Sequence, residues 1–295
     1  MAEPDQSNIV IASEVYTARP FEVMTLTALV YDYLLSIGEE AELVWSSRLS
    51  VIKVLFFLNR YVPFIGMTGL CYLYISFNTS DHLQVECVPV FLVFASFVFL
   101  QFYFSGLILV ARAYAVWGGS RKKRSFFMLG MGCVVIWSPG FYCGVRFLKS
   151  ATVSRRPVFP TGCLIGLNGH IDFLGMIDLL VSETAAVAVL LVKTVQMPHS
   201  SIMKRMSSDG ILFYILILGA TIANLIALNT TSPAVCNFLL APQAALHSIC
   251  CNRLLLRIRK AAAQTEFFHD SQLSPRESYL PSSQISGEGI EMHSI

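Results

Sequence analysis

Long apolar runs separated by short polar stretches set the pattern of this chain. Seven of them approach or exceed the roughly 17–25 residues that a helix needs to cross about 30 Å of hydrocarbon. Val88–Ala115, Ser125–Leu148, Ile171–Val192 and Gly210–Leu228 are the most uniformly apolar. Val51–Phe77 is interrupted by Lys53, Asn59, Arg60 and Pro63, and Ala234–Leu256 by Pro242, Gln243 and His247. Phe21–Ile37 is short and carries Glu22 and Asp32, so its hydropathy fits either a span or a helix lying in the interface. The runs are too long for soluble core strands and lack the alternation of a β-barrel. Backbone groups in lipid must satisfy one another, which leaves helices. The pattern predicts an all-α integral membrane bundle of about seven transmembrane helices. Pro63, Pro89, Pro139 and Pro242 mark candidate kinks.

Composition agrees. The 295 residues are 55% hydrophobic and only 14% charged, against about 25% charged in a soluble domain. A lipid bilayer is therefore the expected partner. The net charge of +2 and the absence of a basic–aromatic run argue against a nucleic-acid partner. The basic residues instead set orientation. With the N-terminus outside, thirteen lysines and arginines fall in inner segments, including Arg48, Arg121–Arg124, Lys204, Arg205 and Arg257–Lys260; five fall in outer ones. This favours an N-terminus outside and a C-terminus in the cytosol, with Arg155-Arg156 as the main dissent. Met1–Pro20 lacks a basic stretch leading into an apolar core, so the first helix is expected to act as its own insertion signal. The expected organisation is an extracellular segment over 1–20, a seven-helix domain over 21–260 and a disordered cytosolic tail over 261–295. The last rests on the polar, serine-rich stretch from Gln264 onward.

Two further signals fit that sidedness. Asn78-Thr79-Ser80 and Asn229-Thr230-Thr231 are candidate glycosylation sites on the outer side. Cys87 opens the third helix there, and Cys163 lies in the outer loop before the fifth. In an oxidising compartment these two are a candidate disulfide, the alternative being two unrelated buried thiols. Such a protein belongs in the plasma membrane or another secretory-pathway membrane.

Tyr31-Asp32-Tyr33-Leu34-Leu35, Glu39-Glu40, Val44-Trp45 and Lys53–Tyr61 form a recognisable series. It resembles the signature of a fungal (basidiomycete) multi-pass membrane protein family, domain of unknown function 6533, with the signature at about 25–65. Leu109–Ala115, Gly162-Cys163, Asp209-Gly210 and Ser248–Arg259 are similar to later parts of that family. Cys251-Asn252 departs from its usual small residues. The resemblance implies the same membrane fold and no assigned activity.

Ionisable groups inside hydrocarbon are costly and usually face a partner or a cavity. Asp32 lies at a depth between Lys53 and Arg60 of the next helix, which makes an ion pair of Asp32 with Arg60 or Lys53 a candidate lock between helices one and two. The same groups are alternatively candidates for lining a ligand or proton path. Glu39, Glu40 and Glu42 read as a solvated inner loop. Glu183, mid-helix, is a candidate polar site, with Ser182 and Thr184 as neighbouring hydrogen-bonding groups; a protonated carboxyl bonded to the next helix explains it equally. Asn224 and His247 are candidates for the same polar site or for interhelical hydrogen bonding. Arg112 reads as an arginine reaching the headgroups.

No histidine cluster with metal-ligand spacing, nucleophile elbow or phosphate loop is evident. The chain is expected not to be an enzyme, with no catalytic residues, metal or cofactor. What remains is a receptor- or sensor-like protein with an unknown ligand or cytosolic partner, a small-solute transporter or channel, or a membrane scaffold.

Overall fold

The computed structural model describes residues 6–76, 86–117, 137–153, 162, 163, 165–167, 171–196, 201–230 and 239–277. Helix α1, Gln6–Glu40, runs into a π-helical turn, Ala41–Trp45. Helix α2, Val51–Cys71, ends in a second such turn, Tyr72–Ser76. Then follow α3 (Cys87–Trp117), α4 (137–149), strands β1 (Ala151–Val153) and β2 (Ile165–Leu167), α5 (Ile171–Gln196), α6 (Ser201–Thr230) and α7 (Leu240–Glu277). The strands form an antiparallel ribbon that pairs Ala151 with Leu167 and Val153 with Ile165. By contacts the chain divides into two units, Met1–Leu256 and Arg257–Ile295. All packing described below lies within the first.

Residue pairs give the relative direction of neighbouring helices. Asn59 of α2 meets Ser105 of α3, while Gly66 meets Phe97 farther along α2, so the two are antiparallel. Gly106 and Phe99 of α3 meet Trp137 and Phe147 of α4 in the same sense. Glu183 of α5 meets Thr221 of α6, and Thr221 and Asn224 meet Gln243 and Leu239 beside the start of α7. Helix α7 runs parallel to α3, with His247 against Phe102 and Cys251 against Ser105. The chain therefore passes up and down through a bundle.

Among the described residues, four stretches are long and apolar enough to cross a membrane: Arg19–Trp45, Val51–Ser76, Cys87–Arg112 and Leu212–Asn229. The packing supports a lipid environment independently. On α1 the buried positions are Glu22, Thr25, Leu29, Asp32, Ser36 and Glu40, while Met24, Tyr31, Leu34 and Leu35 are exposed. Spacings of three and four residues put the buried set on one helical face. A polar face turned inward and an apolar face turned outward is the arrangement water would penalise and lipid stabilises. Apart from the short β1–β2 ribbon the described residues are helical, and the chain is a membrane protein.

The apolar interior forms two clusters. One holds Met67, Leu70, Leu73, Phe91, Val98 and Ala244; the other holds Val44, Phe56, Ile108, Leu109, Tyr214 and Leu255. Between them along α2, α3 and α7 lies a belt of buried polar residues. At one end of the bundle Cys87 and Cys163 are joined in a disulfide. The Cys163 N–H donates to the Leu73 carbonyl at 3.0 Å. Gly162 before it adopts φ +90°, and a Cβ there would meet the Tyr74 carbonyl, so the chain approaches the π-helical turn after α2 closely only with glycine at this position.

Two boundaries differ from expectation. Residues 6–20, expected as a separate segment, continue α1 without a break. The expected disordered tail is helical as far as Glu277. Ala261-Ala262-Ala263-Gln264 are strong helix formers that propagate a helix already nucleated.

Candidate functional site

Three polar assemblies are stacked through the bundle. The first lies at the α1–α2 turn. Arg60 is buried and sits 3.7 Å from Asp32, forms a closer ion pair with Glu40, and donates to Ser36 Oγ at 2.7 Å. Arg253 of α7 donates to Asp32 Oδ1 at 2.6 Å. Glu40, expected in a solvated loop, is fully buried; Tyr61 Oη and Trp45 Nε1 donate to it at 2.9 and 3.1 Å. The reason is α1's length: the helix continues past Ile37 and brings Glu40 alongside Arg60. Lys53 is not brought to Asp32. Its ammonium donates to the carbonyls of Trp45 and Ser47 at 3.0 and 2.6 Å, where it ties down acceptors left open at the end of α1. Ser50 caps α2 by accepting the Lys53 N–H. That hydrogen bond places Lys53 in the first turn of α2, facing the chain that has just left α1.

The second assembly is the polar belt. Asn59 Nδ2 donates to Asn252 Oδ1 at 2.8 Å and to the Ser248 carbonyl at 3.2 Å. Its Oδ1 accepts from Gln101 and Ser105 at 2.7 and 2.8 Å, and Ser248 Oγ donates to its carbonyl at 2.7 Å. Every member is almost fully buried. One asparagine thus joins α2, α3 and α7.

The third assembly contains the candidate polar site. Glu183 Oε1 lies 3.0 Å from His247 Nε2, and Thr221 Oγ1 donates to Glu183 Oε2 at 2.9 Å. Gln243 donates to Thr221 Oγ1 at 2.7 Å, and Asn224 donates to Gln243 Oε1 and to the Leu239 carbonyl. Glu183, Asn224 and His247 are therefore linked, directly or through Thr221 and Gln243. The serine and threonine next to Glu183 in sequence do not take part. Ser182 and Thr184 donate to carbonyls of their own helix, Leu179 and Leu180. Helical geometry explains this, since adjacent residues point to different faces.

A cavity of about 120 Å³ opens beside this network, between α3, α4 and α5, with His247 on its wall. On the same measure about 10–15 Å³ admits one water, so the space has room for a small organic molecule. Its walls are aromatic at Phe99, Phe102, Tyr103, Trp137 and Phe147, and carry Asp178 and Glu183. A smaller cavity of about 40 Å³ shares Phe99, Phe102, Phe147 and Leu240 with it. Glu22 lines the smaller one, 2% exposed, with Oε2 buried and without a hydrogen-bond partner among the described residues.

Arg112 lies over the Tyr214 ring at 5.8 Å and so bridges α3 to α6. Asn229 is exposed at the end of α6, where its side chain donates to the Leu225 carbonyl. Asn78 lies outside the described residues. Sequence reasoning did not single out Glu22, Glu40, Thr221, Gln243 or Arg253 as site residues. For Glu22 and Glu40 a signal existed: both fall on the three-and-four spacing that contains Asp32.

Residues 21–65 match the model of a family of unknown function, DUF6533. The match spans the π-helical turn, the Glu40–Arg60 pair and Asn59, which are the α1–α2 half of the first two assemblies. No curated protein matches the chain.

Proposed function

We propose that the protein is a receptor- or sensor-like membrane protein, not an enzyme, that takes a small ligand into the cavity beside Glu183 and His247. It spans the bilayer seven times, with the disulfide end and N-terminus outside and the α1–α2 turn in the cytosol, in the plasma membrane or another secretory-pathway membrane. Asn78 and Asn229 are then available for glycosylation.

The observation that carries this reading is a cavity walled by an interhelical Glu183–His247 contact, on a helix that also reaches the other two assemblies. Helix α7 carries His247 at the cavity, Ser248 and Asn252 in the belt, and Arg253 against Asp32. A ligand that shifts His247 also biases the contacts of the α1–α2 turn, because both are on one rigid helix. A transporter or channel needs polar groups facing an open path through both leaflets. Here the belt side chains are spent on one another, which supports sensing over transport. A scaffold needs no cavity.

The test is a thermal-shift screen of small molecules on the purified chain in nanodiscs, with Glu183→Gln and a cavity-filling Gly175→Leu variant as controls. A ligand that stabilises the wild type and loses its effect in both variants supports the reading. Stabilising ligands that ignore both variants overturn it. Flux of a bound ligand in proteoliposomes would move the assignment to transport.

A further inference from the structure

The cavity's chemistry says more than its size. Among the described residues that line it, Asp178 and Glu183 are acidic, His247 is the sole basic side chain, and none is lysine or arginine. Five aromatic rings complete the wall. Tyr103 stands edge-on to Trp137 and to Phe141, with centroids 6.2 and 6.3 Å apart, and Phe99 edge-on to Phe147 at 5.4 Å. Glu183 is engaged by His247 and Thr221. Asp178 is different. It accepts the Gly140 backbone N–H, stands within electrostatic reach of Tyr103, and has no ion-pair partner among the described residues. One carboxylate therefore lines an aromatic-walled space with no cation beside it among the described residues. The neighbouring cavity adds a second acid, Glu22, whose buried Oε2 has no hydrogen-bond partner among the described residues.

We propose that the cavity binds a compact organic ammonium ion with an apolar body, its charge set against Asp178 and its body among Phe99, Tyr103, Trp137 and Phe147. A carboxylate supplies a charge-assisted hydrogen bond, and ring faces attract a desolvated cation in a way that a neutral or anionic isostere does not share. Anions are excluded by the same acids. A neutral molecule makes no charge-assisted contact with Asp178. This inference rests on the cavity reading above and specifies its ligand class.

The test uses three probes of matched shape on the full chain in nanodiscs, read by isothermal titration: 2-phenylethylammonium, 2-phenylethanol and phenylacetate. The ammonium should bind at least about ten-fold tighter than the alcohol, and phenylacetate should not bind. Asp178→Asn should weaken the ammonium about ten-fold and leave the alcohol unchanged. Gly175→Leu should remove binding of both. Should Asp178→Asn fail to fold, the three-probe comparison on the wild type still decides. Equal binding of alcohol and ammonium, lost in Gly175→Leu, overturns the cation assignment while leaving the cavity as a ligand site. Ammonium binding that survives both variants places it elsewhere and overturns the proposal, as does no ammonium binding at all.

Discussion

Arg60 shows how one side chain becomes indispensable in this environment. It lies in the described core at 2% exposure, faces Asp32 and Glu40, and stacks over the Tyr33 ring at 5.1 Å. With Arg253 included, two carboxylates meet two guanidiniums, so the cluster is neutral as a whole. Removing one member leaves a buried charge without its counterpart, which typically costs about 3–5 kcal/mol. Arg60→Met should therefore destabilise the protein by about that amount in thermal or denaturant unfolding. Combining it with Glu40→Gln should return a large part of the loss, because the orphaned carboxylate goes with it. Lys53→Met removes two hydrogen bonds to carbonyls near the turn and should cost less. If Arg60→Met proves no more harmful than Lys53→Met, and the double variant recovers nothing, the ion cluster is not what locks α1 to α2.

At the scale of elements, hydropathy made the spans of α2, α3 and α6 legible, because lipid leaves long apolar runs as the only workable composition. Helix α1 was the hardest to read for a physical reason. Averaging hydropathy along it mixes an apolar outer face with the polar stripe Glu22, Thr25, Asp32, Ser36 and Glu40, and the mean hides both. The stripe's spacing was in the sequence all along. Contacts across the bundle were not: Arg253 and Asp32 are separated by 221 residues, and Glu183 takes Thr221 from another helix rather than Ser182 or Thr184 beside it. Asp32 with Arg60, by contrast, needed only two adjacent antiparallel helices and a rise per residue. The α2–α3 pairing makes its own prediction. Gly69 lies so close to α3 that a Cβ would fall inside the Phe94 ring. Gly69→Leu should destabilise by about 1–3 kcal/mol through overpacking. Phe94→Ala in the same chain should relieve part of the clash, so that the pair is less damaged than the two single effects add to. Strict additivity would mean the helices do not meet there.

For the whole molecule, the up-and-down course of the helices turns separate local facts into one statement about sidedness. The C-terminal ends of α2, α4 and α6 and the N-terminal ends of α3, α5 and α7 share the end that holds the disulfide, and the α1–α2 turn lies at the other. A disulfide persists where the compartment is oxidising, so the proposed topology puts Cys87 and Cys163 outside, and it is the same topology that the distribution of basic residues along the sequence favours. Ser46 is exposed at the α1–α2 turn and Asn229 is exposed near the end of α6. In sealed cells, Asn229→Cys should react with a membrane-impermeant thiol reagent beyond the parent's background, whereas Ser46→Cys should react only after permeabilisation. The reverse pattern would put the disulfide on the reducing side and invert the bundle.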